Sequence, residues 1–306
     1  MSSILLAEDS STHAALIRSI LESGGHQVEC VENGRLAFET LSQRQPDLVV
    51  TDLRMPEMNG MELVQAVAEQ YPKLPSVVVT ARGSESLAVD ALALGAANFV
   101  PKNSLSKLLC RVVGQTIRMA ASDRVFDGSG QKSTCPEYTL QLSNNLTSIE
   151  PVVHFVVQSL ASAGHMNTTQ RVRLGTAVHS ALLNAICFGN LEIRDDETLL
   201  SRWLGNEETG IQEMAERTAS KEYAGQTVEL KFSVGTDDTR IQVSQSGRGR
   251  VTRMTPAPGT PESFELEQCR GLMLLTSFMD DVIFRSGNCE VVMVKRHTHS
   301  PALPAG

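Results

Sequence analysis

The chain is 306 residues long, with 41% hydrophobic, 20% charged and only 4% aromatic residues and a formal net charge of −8. That length exceeds one ordinary core and predicts two domains. No stretch reaches the ~18–20 uninterrupted apolar residues of a membrane helix. The N-terminus turns acidic at Glu8 and Asp9 without a basic leader, and neither half carries the basic surplus that covering phosphates requires. A cytoplasmic protein without membrane or nucleic-acid partners is therefore expected. The six cysteines (Cys30, Cys110, Cys135, Cys187, Cys269, Cys289) are scattered without a Cys-x-x-Cys pair, predicting buried free thiols.

From residue 3 to about 122, short apolar runs alternate with amphipathic stretches. The runs at 4–7, 27–31, 48–51, 76–80 and 98–100 have the length and flanks of strands buried on both faces. Ala15, Leu16, Ile20 and Leu21 predict one helix face, and Leu63, Val64 and Val67 another. Five βα repeats predict a doubly wound parallel sheet, with function at the carboxyl ends of its strands. A last helix over 104–121 leads into a polar, glycine-bearing linker, placing domain boundaries at 1–122 and 123–137.

The rhythm then changes. A strand at 138–142 precedes helices over 149–163 and 169–188 and a polar helix over 207–223. Alternating strands at 227–235 and 240–245 flank a Thr-Asp-Asp turn, and 248–261 reads as a loop. A helix over 268–279 and strands at 281–284 and 290–295, separated by Ser-Gly-Asn, complete an α+β domain over 138–297. The tail, with His297 and His299, has no pattern, and 298–306 is expected to be disordered.

Glu8 and Asp9 follow the first predicted strand and Asp52 follows the third, so three carboxylates meet at one sheet edge. Crowded carboxylates favour a hard divalent cation such as Mg²⁺, which bridges them to a phosphoryl oxygen. Asp52 is then the nucleophile. Thr80 ends the fourth strand, where its hydroxyl can donate to a phosphoryl oxygen, and Lys102 ends the fifth, where its ammonium can pair with the charge. Each residue alone could be a helix cap or a loop residue; all five on one edge point to chemistry.

These segments (Ile-Leu-Leu-Ala-Glu-Asp-Ser, Asp-Leu-Val-Val-Thr-Asp-Leu-Arg-Met-Pro-Glu-Met-Asn-Gly, Val-Val-Val-Thr-Ala and Gly-Ala-Ala-Asn-Phe-Val-Pro-Lys) resemble the CheY-like response-regulator receiver family. The resemblance implies that Glu8, Asp9, Asp52 and the backbone carbonyl of Arg54 hold Mg²⁺. It also implies that Asp52 accepts phosphate from a sensor histidine kinase or phosphotransfer protein. Thr80 and Phe99 would be the switch pair, and the α4–β5–α5 face a homodimer surface. The family follows its lysine with a cis proline. Here Asn103 follows Lys102, and a trans bond is expected because a cis bond without proline costs ~3–4 kcal/mol.

The second half resembles the GHKL or Bergerat ATP-binding superfamily, nearest to anti-sigma-factor serine kinases. The likeness rests on Gly-Thr-Ala-Val-His-Ser-Ala-Leu-Leu-Asn-Ala-Ile-Cys-Phe-Gly-Asn, Gln-Val-Ser-Gln-Ser-Gly-Arg-Gly-Arg, and the stretch from Arg270 to Phe284. It implies an α+β sandwich whose Asn184 would coordinate Mg²⁺, with Gln245, Gly247, Gly249 and Gly271 lining the nucleotide site. The departures fall on the chemistry. Ser180 stands where a general-base glutamate is found, Gln245 replaces the adenine-binding aspartate, and Phe188 replaces a histidine. A serine hydroxyl cannot take a proton near neutral pH. His179, one residue along the helix, is rotated by ~100°.

A degenerate scaffold without working ATP binding is thus expected. It would act as a phosphorylation-controlled module that binds a sigma factor or an anti-sigma antagonist-like protein. The alternative is a phosphorylation-gated, ATP-dependent serine/threonine kinase. A hybrid histidine kinase is disfavoured, because no dimerising helical hairpin fits before the second domain.

Overall fold

The computed structural model describes residues 1–81, 85–124, 137–194, 198–249, 267–285 and 289–297. Cys135, most of the expected linker, the 250–261 part of the expected loop, the Ser-Gly-Asn turn and the 298–306 tail lie outside the described residues.

The first domain is a five-stranded parallel sheet in the order β2-β1-β3-β4-β5. Its strands are β1 (Ser3–Ala7), β2 (Gln27–Val31), β3 (Leu48–Asp52), β4 (Ser76–Thr80) and β5 (Asn98–Pro101). Helices α1 (Ser11–Ser23), α2 (Gly34–Gln43), α3 (Gly60–Gln70), α4 (Glu85–Leu94) and α5 (Leu105–Arg124) connect and follow them. Local chemistry sets the helix starts. The Ser10 and Asn33 side chains accept from backbone N–H groups of α1 and α2, and Asn59 forms a reciprocal capping box with Glu62 on α3.

Two expectations about burial need correcting. β2 is not buried on both faces: it is an edge strand and half its residues or more face solvent, which also leaves the Cys30 thiol exposed. On α1 the core face is Ile17 and Leu21, while Leu16 is 50% exposed, because the helix turns its 17/21 stripe rather than its 15/16 side to the sheet. The other edge strand, β5, is buried along its whole length.

The second domain is an antiparallel sheet in the order β6-β7-β8-β10-β9. It comprises β6 (Glu137–Ser143), β7 (Thr227–Val234), β8 (Asp238–Gln245), β9 (Asp281–Arg285) and β10 (Glu290–Arg296). Helices α6 (Ile149–Ala163), α7 (Thr168–Asn184), α8 (Thr198–Leu204), α9 (Glu208–Ala219) and α10 (Glu267–Phe278) belong to it. The period-two burial of β7 and β8 matches their alternating sequence. α8 had no signal as a separate helix, and α9 stops at Ala219 instead of Tyr223. The predicted 169–188 helix is α7 followed by a wider π-type turn over Ala185–Asn190, where Leu191 N–H reaches the Ile186 carbonyl at 2.8 Å. His297 is no part of a loose tail. Its ring is buried, stacked on His165 and bonded to Thr239 Oγ1 at 2.8 Å.

The two domains dock face to face. α5 packs on α6 and α7, and α4 packs on α10. One continuous apolar core runs from Val78, Leu92 and Phe99 of the receiver sheet side into Val157, Leu182 and Phe278. The α4 and α5 helices of the face expected to pair with a second copy pack on the second domain of the same chain.

On the helix-covered face of the second sheet, Phe232 stacks on Tyr138 with ring centroids 4.7 Å apart and meets Phe155 of α6 edge-on. Phe232 is 1% exposed. Phe232→Ala should cost the second domain about 3–5 kcal/mol. The check is a lower urea midpoint in the fluorescence of Trp203, the single tryptophan, which lies in that domain. An unchanged midpoint would mean that the ring cluster does not hold β6 and α6 to the sheet.

Candidate functional site

At the carboxyl edge of the parallel sheet, β1 delivers Glu8 and Asp9 and β3 delivers Asp52. Their carboxylate oxygens lie within 4.8 Å of one another, with Glu8 and Asp52 buried and Asp9 exposed. Lys102, just past β5, reaches into the cluster: its Nζ lies 2.9 Å from Glu8 Oε2 and 3.4 Å from Asp52 Oδ1. The Glu8 side chain is fully buried, so this ion pair carries much of the local charge balance. The described residues contain no cis peptide, and Lys102 reaches the cluster with Asn103 following it in trans. Thr80 is 2% exposed at the end of β4, the strand beside β3, and pairs in register with Pro101 on β5. Arg54 heads the loop after β3 with its side chain exposed.

Receiver domains bind Mg²⁺ at an acidic pocket of this kind, and the residues here fit it. Three carboxylates crowded within 4.8 Å of one another repel, and a divalent ion relieves that repulsion while holding oxygen ligands.

Two neighbours of the pocket were not singled out from sequence. His13, in the first turn of α1, has Nδ1 3.3 Å from Lys102 Nζ. Its only sequence signal is its place one turn beyond Asp9. Gly60 opens α3 under Asp52; a Cβ there would stand 1.9 Å from the Asp52 carbonyl oxygen, so only glycine lets the helix approach this closely. The Asn-Gly pair just before a helical run was the available signal.

In the second domain the nucleotide-site candidates lie in two contact groups about the cleft that the resemblance implies. Asn184 and Ser180 face α10 from α7. A Cβ on Gly271 would lie 3.4 Å from Asn184 Nδ2 and 3.4 Å from Ser180 Cβ, so the gap between these helices is one methyl deep. Gln245 ends β8 and donates from Nε2 to the Gly249 carbonyl at 2.7 Å. Gly249 N–H in turn bonds to the Gly189 carbonyl at 2.9 Å, and Gly247 N–H to Asn190 Oδ1 at 2.8 Å. Asn190, fully buried and also bonded to Asn144, ties this loop down; sequence reasoning passed over it. His179 points away from the cleft, into a cavity of about 260 Å³ lined also by Arg118, Glu150 and His154.

Beside Gln245, Cys289 and Val291 lies a small cavity of about 10 Å³. Both amide atoms of Asn184 and Oε1 of Gln245 are buried without a hydrogen-bond partner.

Where the domains meet, the second domain contributes two arginines. Arg270 on α10 is 4% exposed and donates to Asn98 Oδ1 at 2.8 Å and to the Phe99 carbonyl at 3.2 Å, with its guanidinium over the Phe99 ring. Arg173 on α7 donates to the Leu92 carbonyl at 2.7 Å and the Ser277 carbonyl at 3.4 Å, in the last turns of α4 and α10. A cation suits both helix ends. Burial holds the Arg173 pKa down to about 10, with the Asp280 charge pulling it up. Phe99 itself is fully buried.

Residues 4–113 match the family described as response regulator receiver domain, and residues 142–295 match the histidine kinase-like ATPase domain family. The chain belongs to the histidine kinase-like ATPase domain family, and its first domain is a response regulator receiver domain. The regulator is 40% identical over 116 residues to regulatory protein LuxO of Vibrio cholerae, covering 38% of this chain and 26% of that one. It is 36% identical over 95 residues to the DNA-binding transcriptional regulator NtrC of Proteus hauseri, covering 31% and 20%. The chain thus spans about a quarter of the length of the curated relatives it matches. Among solved structures, the signal receiver domain of a signal transduction histidine kinase from Syntrophus aciditrophicus is 31% identical. It covers 44% of this chain and 98% of that chain, with a TM-score of 0.36. The receiver domain of NtrX from Brucella abortus is 26% identical, covering 38% and 98%, with a TM-score of 0.37. Among the described residues, no helix is long and apolar enough to cross a membrane.

Removing one carboxylate from the pocket removes a full ligand charge. Asp9→Asn should weaken Mg²⁺ binding by at least about tenfold, measured by calorimetry on the whole chain. Equal affinity in the variant would place the ion elsewhere.

Proposed function

We propose that this two-component regulator takes a phosphoryl group on Asp52 and uses it to control protein binding by its kinase-like domain. The observation that carries the reading is the Glu8–Asp9–Asp52 cluster with Lys102 Nζ 3.4 Å from Asp52 Oδ1. An Asp52 carboxylate oxygen attacks phosphorus, and the phosphohistidine nitrogen of the donor kinase leaves with the bond electrons. Bound Mg²⁺ neutralises charge on the carboxylates and the phosphoryl oxygens. Lys102 exchanges part of its pairing with Glu8 for the new charge, and the Thr80 hydroxyl donates to a phosphoryl oxygen. The modification adds about −1.5 to −2 charge at the strand edge.

The output is binding rather than catalysis. Ser180 offers no general base, and the Gly247–Gly249 turn packs on the Phe188–Asn190 backbone. The likeness to anti-sigma-factor serine kinases supports a sigma factor or an anti-sigma antagonist-like protein as the partner, in a partner-switching arrangement. The second reading, a phosphorylation-gated serine/threonine kinase, draws support from the unsatisfied Asn184 amide and Gln245 Oε1, atoms a nucleotide could satisfy.

Two measurements test these readings. With Mg²⁺ and a small phosphodonor, intact mass should rise by one phosphoryl group, and Asp52→Asn should abolish the gain, since an amide is a far poorer nucleophile. Equal labelling of the variant would sink the assignment. Titration of the full chain with Mg-ATP should give a dissociation constant weaker than about 100 μM, near −5.5 kcal/mol, with no transfer to protein. Tighter binding lost in Asn184→Ala would favour the kinase.

A further inference from the structure

The Lys102 ammonium carries three protons, and the structure offers it three partners. Glu8 accepts at 2.9 Å through Oε2 and at 3.2 Å through Oε1, Asp52 Oδ1 lies at 3.4 Å, and His13 Nδ1 at 3.3 Å. An ammonium can only donate, so His13 Nδ1 is the accepting nitrogen and the ring proton sits on Nε2. The backbone of His13 is held by its own helix start. Ser10 caps α1 by accepting from the His13 N–H at 3.4 Å, and the Ser10 N–H donates to Glu8 Oε1 at 3.3 Å. One short turn thus fixes both His13 and Glu8 around the lysine head.

These partners are not equivalent toward a cation. An ion held by Glu8, Asp9 and Asp52 would share Glu8 with an ammonium 2.9 Å from it, and like charges at that range repel strongly where the carboxylate side chain is fully buried. The lysine head then has to leave Glu8 and still stay beside Asp52. Its flexible four-carbon stem does not fix the head by itself. His13 lies outside the cluster of prospective ligands and offers a neutral acceptor, so it can keep a Lys102 proton when Glu8 is taken.

From this geometry we infer that His13 is a positioning residue for the acceptor site: its Nδ1 anchors Lys102 when a cation claims Glu8, and so keeps the ammonium aimed at Asp52. His13 makes and breaks no bond to phosphorus, and its whole effect passes through Lys102. The kinetic consequence rests on the phosphoacceptor reading, whereas the hold on Lys102 stands on the contacts alone.

Two measurements on the full chain test this, each with His13→Leu, His13→Asn, Lys102→Met and the His13→Leu/Lys102→Met double variant. Leucine removes the acceptor, and asparagine returns one on the same side-chain carbon that bears Nδ1. The His13 side chain is 46% exposed, so neither change opens the core. In calorimetric titration with Mg²⁺ alone, His13→Leu should weaken binding about three- to tenfold, the size of one partly solvated hydrogen bond to a charge, because Lys102 then stays on Glu8. His13→Asn should restore the affinity, and adding His13→Leu to Lys102→Met should change nothing. Unchanged or tighter Mg²⁺ binding in His13→Leu, or the same loss with Lys102 already removed, overturns the inference. In the second measurement, the rate of labelling by phosphoramidate at saturating Mg²⁺ should fall about three- to tenfold in His13→Leu, recover in His13→Asn, and show no further loss when His13→Leu is added to Lys102→Met. Labelling of His13→Leu at the wild-type rate overturns it as well. If wild type takes no label on Asp52, the acceptor reading fails, while the Mg²⁺ titration still decides whether His13 holds the lysine.

Discussion

The structure depends on how one sheet edge is covered. A parallel sheet of five strands has two edges, and each is a row of backbone groups open to further pairing or covering. In this regulator β2 is left to solvent, whereas β5 is buried and takes hydrogen bonds at Asn98 and Phe99 from Arg270 of the other domain. That asymmetry decides where the second domain sits, and with it which receiver movements the second domain can feel. The acceptor pocket lies at the carboxyl ends of the same strands, so the covered edge and the chemical end of the sheet share Phe99, Pro101 and Lys102 within four residues.

Charge follows the same geometry. The pocket concentrates negative groups around one half-buried lysine, and the docking surface concentrates positive groups around carbonyl oxygens and an aromatic face. Neither set is a plain stabilising device. Buried ion pairs and buried guanidiniums return little net stability after desolvation, but they respond strongly when a neighbour changes charge or position. The apolar core that continues across the domains supplies the cohesion, and the charged groups supply the sensitivity.

How much of this could be read beforehand follows from what each feature rests on. The five strands, the acceptor cluster and the strand–helix order of the second domain are local patterns: apolar runs, carboxylates at run ends, alternation in β7 and β8. The orientation of α1 was misread because Ala15 and Leu16 are apolar, and apolarity alone does not say which stripe meets the sheet. The helix break at Asn184 was missed because a π-type turn keeps the composition of the helix it interrupts. Burial of β2 was overestimated because a strand's sequence does not reveal that its sheet ends there. Arg270, Asn98 and Asn190 had no local signal, since their partners lie 172, 172 and 46 residues away. The packing of the Gly247–Gly249 turn on the π-type turn is a property of docking between elements, whereas Ser180 and Gln245 in place of carboxylates were visible residue by residue.

The docking contacts also bear on how freely such a receiver could be exchanged for another. Thr169 donates to the Pro72 carbonyl, Arg173 to the Leu92 carbonyl and Arg270 to the Phe99 carbonyl, all of them main-chain oxygens. Any receiver with the same chain trace would offer these acceptors whatever its sequence. Among these four contacts, only the bond to the Asn98 side chain distinguishes one receiver from another. The regulator therefore holds its input domain partly through backbone oxygens that any receiver would offer and partly through receiver side chains of its own, Asn98 against Arg270, Arg118 against Glu150 and Met119 against Thr176, so that drift at those three positions is what the partnership would feel.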